Sequence, residues 1–80
     1  MSIHGIEALL AEAATIANDN PEDEAQGACQ VVLSNGDSIS GRIDNVSDGI
    51  AVFGENEHDG RHPSFPLFIR VSHVLTFQYI

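Results

Sequence analysis

The stretch Leu33-Ser34-Asn35-Gly36-Asp37-Ser38-Ile39-Ser40-Gly41-Arg42-Ile43 decides how this chain is read. Val31 and Leu33 alternate with less apolar neighbours, Asn35-Gly36 interrupts the pattern, and Ile39, Gly41 and Ile43 resume it towards Val46. Alternation with a period of two on both sides of an Asn-Gly pair is a strong short-range sign of a β-hairpin, because both residues tolerate a positive φ. Gly41 falls in the middle of the returning strand. A missing side chain there permits the sharp bend that a strand needs to enter a small barrel.

Further along, Ser47-Asp48-Gly49 is a second turn signal, and Ile50, Val52 and Gly54 begin a third strand. Glu55 to Pro63 reads as a polar loop holding a third turn at Asp59-Gly60. Phe65 to Ser72 and Val74 to Ile80, rich in β-branched and aromatic residues, read as two final strands. Before the hairpin the period changes. Ile3, Ile6, Leu9, Leu10, Ala13, Ile16 and Ala17 recur at helical spacing, with Ser2 as N-cap and Glu7 and Glu12 on the polar side. Asn18-Asp19-Asn20-Pro21 stops that helix, since proline disfavours helical geometry in the residue before it. Asp19, Glu22, Asp23 and Glu24 make the following segment acidic. The expected organisation is a single domain over residues 1–80: a helix over 1–18, an acidic linker over 19–27, and a small five-stranded barrel over 28–80.

Composition narrows the partners. The 80 residues carry 12 Asp+Glu against 3 Lys+Arg, a formal charge of −9, and 42% are hydrophobic. Lysine is absent, and the basic residues are Arg42, Arg61 and Arg70. Broad binding to a phosphate backbone depends on Lys and Arg displacing counterions, so duplex DNA is not an expected partner, nor is an anionic membrane surface. No apolar run approaches the roughly 18–20 residues that span a bilayer, and the N-terminal residues do not have the pattern of a signal peptide. A soluble, cytoplasmic protein is expected. Cys29 is the one cysteine, which rules out an intrachain disulfide and a cysteine-based zinc knuckle. A domain this small is often marginal alone, so oligomerisation is the cheapest remaining staple.

The run Leu33-x-Asn35-Gly36-x-x-Ile39-x-Gly41-x-Ile43 resembles the first motif of the Sm-like family, which includes the bacterial Hfq proteins. Its two glycines are five residues apart, as in that family, and a helix precedes the first strand. The second motif is matched less fully by Ile69-Arg70-Val71-Ser72-His73-Val74. Ile69, Arg70 and Val74 fit the Sm spacing, with Val71 in place of a glycine. In a register shifted by one, His73 falls on the motif histidine of Hfq. The resemblance implies an Sm-like fold: mainly β with one N-terminal helix, an open SH3-like barrel of five strands. It also implies a homo-oligomeric ring of about six or seven subunits, in which strand four of one subunit pairs with strand five of the next. The sequence supplies a motive, because the chain runs Thr76-Phe77-Gln78-Tyr79-Ile80 without a charged residue. An apolar edge strand of that kind is an aggregation hazard unless it is paired.

Family members commonly bind short, uridine-rich single-stranded RNA around the pore. The loop after strand two supplies an Asp, an aromatic or His two residues on for stacking, and an Asn two further on. Those positions here are Ser47, Gly49 and Ala51, and Asp48 lies one residue from the aspartate position. The stacking group, worth about 1–3 kcal/mol per base, is missing. Ser47, Asp48, Arg70 and His73 are therefore the candidate RNA-binding residues, with Arg42 as a further charge repeated by symmetry. The alternative is an acidic ring that has lost RNA binding and serves as an interaction or scaffold module for a basic protein.

Nothing in the sequence has the pattern of a catalytic centre, a cofactor loop or a metal cage, so an enzyme is not expected. Glu57-His58-Asp59-x-x-His62 holds metal-capable side chains, but His58 and His62 share a face only on a helix, and Asp59-Gly60 and Pro63 oppose one. That segment is expected to be a solvated hairpin loop, His4 to be exposed, Cys29 to be a small apolar strand residue, and Asp37 and Asp44 to serve solubility.

Overall fold

A Cβ on Gly41 would collide with the carbonyl oxygen of Glu55 and lie 2.9 Å from the Cα of Asn56. That close approach is the bend around which the sheet closes. In this computed structural model, which describes residues 5–59, 61 and 66–80, the elements follow one another as a helix and five strands. They are α1 (Gly5–Asp19), β1 (Cys29–Leu33), β2 (Ser38–Ser47), β3 (Ile50–His58), β4 (Leu67–Arg70), a 3-10 turn (Val71–His73) and β5 (Val74–Tyr79). The expectations for Ser2, Ile3, His4, Gly60, His62 and Phe65 lie outside the described residues.

The sheet is antiparallel in the order β4-β3-β2-β1-β5. β2 pairs with β1 through its first half, Ser38 to Gly41, and with β3 along most of its length. The β2–β3 register shifts between Gly41 and Ile43 and again between Ile43 and Asn45, and such bulges sharpen the local twist. β4 and β5 form the two edges and do not pair with each other. The barrel is thus open, as the Sm-like resemblance implied.

Phe53, Leu10, Ile39, Ile43, Val31 and Cys29 are fully buried, and each large apolar side chain among them contributes about 1.5–3 kcal/mol. α1 closes the barrel with Leu10, Ala13, Ala14 and Ala17. Leu9, expected on the buried stripe, is 39% exposed, and Ala14 takes a buried place instead. At 100° per residue the stripe through Ile6, Leu10, Ala13 and Ala17 leaves Leu9 roughly a quarter-turn away.

Three expectations need correction. The Asn35-Gly36 hairpin does not place both residues at positive φ; only Gly36 is there, at 93°. The Gly36 amide donates to Leu33 O at 2.9 Å and the Leu33 amide to Asp37 O at 2.8 Å, which is a three-residue loop with a glycine bulge. The polar segment Glu55 to His58 is strand rather than loop, with Asn56 to His58 paired with Gly41 to Ile39. Its lack of apolar alternation hides it, because its partner strand holds it. Strand four stops at Arg70, and Val71–His73 form a 3-10 turn whose Val71 amide donates to Gly49 O at 2.8 Å.

The acidic linker is also more ordered than a solvated spacer. Successive turns run from Asn20 to Gln26, and Gly27 is buried against α1.

Candidate nucleic-acid interface

The β2–β3 connection is the two-residue turn Asp48-Gly49, with φ of 52° and 74° and Ser47 paired with Ile50. Positive φ at both central residues is a type I′ geometry, which matches the strand twist. The next register pair across the sheet, Ile50 with Arg70, sets the end of β4 beside this turn. Asp48, Gly49, Ile50, Arg70, Val71 and Ser72 line a depression of about 640 Å³ together with Gly5, Ile6 and Glu7 at the start of α1.

Arg70 is exposed, and its side chain makes no hydrogen bond or ion pair among the described residues. Its guanidinium is therefore available to an anion, although Glu7 and Asp48 line the same depression and lower the local potential. Among the described residues no aromatic side chain lines it. The apolar side chains among its described lining residues, Ile6, Ile50 and Val71, are aliphatic.

His73 stands elsewhere. Its carbonyl accepts from the Ser34 amide at 2.8 Å, which ties the 3-10 turn to the β1–β2 hairpin. Its exposed side chain lines a second depression of about 260 Å³, with Leu33, Ile39, His58, Leu67, Phe68, Ile69 and Arg70. The four candidate residues thus do not form one cluster. Asp48 meets Arg70 in one depression, His73 meets Arg70 in the other, and Ser47 sits at the strand end beside the turn.

Arg42 is committed to the fold. Its Nη2 donates to Ala17 O at 2.9 Å and Asn20 O at 2.7 Å, and its Nε to Gln26 O at 3.1 Å. Asn20 Nδ2 adds a bond to Ile16 O at 2.8 Å. The last carbonyls of a helix lack intrahelical partners, and a cation there also meets the negative end of the helix dipole. The residue expected as a repeated RNA-facing charge is instead a helix cap.

Burial pushes the Cys29 thiol up to about 12. Partial burial, together with the hydrogen bond and charge of Glu12, pushes the Tyr79 phenol up to about 12, with its hydroxyl donating to Glu12 Oε1 at 2.6 Å. Neither is a reactive group near neutral pH.

Sequence reasoning missed one constellation. Asp37, expected to serve solubility, lies beside His58 and Asp59, and one ligand atom from each falls within 4.8 Å of the others. Twenty-one residues separate Ser38 from Asp59, whose carboxylate accepts the Ser38 amide at 2.9 Å. Local spacing could not reveal a cluster made by two hairpin tips. His62 lies outside the described residues.

Each edge strand carries a large exposed apolar side chain. Phe68 on β4 is 68% exposed, and Leu75 on β5 is 61% exposed. Among the described residues no helix is long and apolar enough to cross a membrane.

An N-terminal helix on an open, five-stranded antiparallel barrel whose second strand bends at a glycine is the Sm-like fold, and this chain has it. Among solved structures it is similar to a novel Sm-like archaeal protein from Pyrobaculum aerophilum, at 22% identity and a TM-score of 0.59 over 81% of this chain and 50% of that one. It is also similar to the SmAP (LSm) protein from Methanococcus vannielii, at 14% identity and a TM-score of 0.54 over 76% of this chain and 89% of that one. The chain thus spans about half the length of the Pyrobaculum protein. No sequence-family model matches it, and no curated protein matches it in sequence.

Proposed function

We propose that the chain is a subunit of a cytoplasmic homo-oligomeric ring, without catalytic activity, that holds a short, uridine-rich single-stranded RNA segment near the pore. The observation that carries the ring is the pair of unpaired edges, β4 with Phe68 outward and β5 with Leu75 outward. Pairing β4 of one subunit with β5 of the next is a head-to-tail contact, and a rotation that closes leaves no free edge. The RNA reading rests on the exposed Arg70 guanidinium beside the Ser47-Asp48-Gly49 turn, repeated around the ring. Without a stacking group, contact with phosphate supplies most of the affinity, which is then weak and steeply dependent on salt.

A second reading is favoured by a specific surface. Glu22, Glu24, Asp44, Glu55 and Glu57 line a groove of about 520 Å³ between the linker and the bent sheet. Its charge suits a basic protein segment, and a ring would repeat it.

Native mass spectrometry of protein purified without nucleic-acid stripping tests both. A closed ring with mass that nuclease removes, and oligo-uridine binding lost in Arg70→Ala, supports the RNA reading. A bare ring indifferent to RNA at physiological salt transfers the assignment to the basic partner. A monomer at micromolar concentration overturns the ring and both readings.

A further inference from the structure

We infer that Asp37, His58 and Asp59 form a binding site for a divalent metal ion of the zinc class, which fastens the β1–β2 hairpin tip to the β3–β4 tip. His58 Nε2 lies 3.0 Å from Asp37 Oδ2 and 3.7 Å from Asp59 Oδ2. One ligand atom from each of the three residues falls within 4.8 Å of the others. Bonds of about 2.0–2.2 Å place neighbouring ligands about 3.3–3.6 Å apart around a tetrahedral ion. The two His58 contacts bracket that spacing, so small side-chain adjustments bring the set to coordination distance.

The backbone already holds the donors in place. Asp59 N donates to Ser38 O at 2.8 Å, and Ser38 N donates to Asp59 Oδ1 at 2.9 Å, which leaves Asp59 Oδ2 on the His58 side. Asp37 N bonds to Asn35 Oδ1 at 3.0 Å, and Asn35 Nδ2 to Asp37 Oδ2 at 3.1 Å, which fixes the other carboxylate. An imidazole nitrogen with two carboxylate oxygens suits zinc, cobalt or manganese. Calcium and magnesium prefer a shell made wholly of oxygen. The side chains are 36–52% exposed, so water completes the shell and an ion can enter from solvent. The net charge of −9 raises the local concentration of cations. In the absence of metal, the close His58–Asp37 contact is a hydrogen bond or ion pair, which the metal replaces.

Neither Arg70 nor an edge strand contributes a ligand, although His58 also lines the depression that holds His73 and Arg70. Titration calorimetry with Zn²⁺, and visible absorption with Co²⁺, read it on the full chain. The expected result is one ion per chain, a raised thermal midpoint, and at least a tenfold loss of affinity in His58→Gln and in Asp37→Asn. Both side chains are half-buried and outside the core, and a cooperative metal-free thermal transition confirms that each variant folds. His62→Gln serves as the control and is expected to bind as the parent does. Unchanged binding in His58→Gln, loss in His62→Gln instead, or equal competition by Mg²⁺ would each overturn the site.

Discussion

Arg42 Nη2 lies 2.9 Å from the carbonyl oxygen of Ala17, so a side chain from the middle of β2 closes the end of α1. The same guanidinium holds Asn20 O and Gln26 O. One residue thereby fixes the helix, the turns after it and the sheet in a single arrangement. Hydrogen bonds to a charged donor are worth about 1.5–3 kcal/mol each and are not additive, so Arg42→Ala is expected to lower stability by about 2–4 kcal/mol. Arg42→Lys should recover only part of that, because an ammonium lacks the planar fork. Urea denaturation followed by circular dichroism measures both, and a loss under about 0.5 kcal/mol would show that the cap is dispensable.

Gly41 offers a sharper test of the bend. An added Cβ meets backbone on the facing strand, Glu55 O and Asn56 Cα, and neither can move without disturbing the register. Gly41→Ala is expected to cost about 2–4 kcal/mol, and Gly41→Val to abolish folding. Thermal unfolding reads the first, and the amide dispersion of a proton–nitrogen correlation spectrum reads the second.

At the edges, Phe68→Asp and Leu75→Asp should separate subunits while leaving each subunit folded. Both side chains are largely exposed in the single chain, so removing them should cost a subunit little by itself. A charge on an edge strand opposes strand pairing. Light scattering after size exclusion should show a closed assembly for the parent and a monomer for either variant. A parent ring that survives both changes would place the contact on another surface.

Alkaline pH should weaken the fold. Cys29 moves from its ordinary 9.0 to about 12 in the folded chain. Below pH 9 the thiol is neutral in both states and contributes no pH dependence. Between 9 and about 12 the unfolded chain has lost a proton that the folded chain keeps, so stability falls as pH rises. Tyr79, shifted from 10.0 to about 12, acts in the same direction, though its exposure reduces the effect. The urea midpoint is expected to be level up to about pH 9 and to decline above it. Cys29→Ala should flatten the decline, and the native thiol should resist a disulfide reagent at pH 8.

The fold was legible because its two devices are local. Asn35-Gly36 and Gly41 each act on the backbone within a few residues, and Val31, Ile39 and Ile43 alternate at the period of a strand. What stayed hidden was made by distance. Glu55 to His58 carry no strand pattern of their own and become β3 through Ile39, Ser40 and Gly41. Arg42 looked like a surface charge, since its acceptors are backbone carbonyls 16 to 25 residues away, which no side-chain motif encodes. The candidate site was legible in part. Arg70 does lie by the Asp48 turn. His73 was named from motif spacing that ignored the 3-10 turn, and Asp37 was set aside because its histidine lies on another hairpin.

The place of β1 in the sheet sets the order in which the chain can fold. One partner, β2, is reached across a three-residue loop, whereas the other, β5, pairs Val32 with Thr76, a separation of 44 residues. Closing a longer loop costs more entropy, and non-local pairing slows folding. The hairpins β1–β2 and β2–β3 are thus the early structures, and docking of β5 onto β1 is the late step. Until then β1 is itself an open edge with unpaired backbone N–H and C=O groups. An assembly that uses β5 to join subunits must therefore wait for the slowest event within each subunit, so assembly is gated by completion of the monomer.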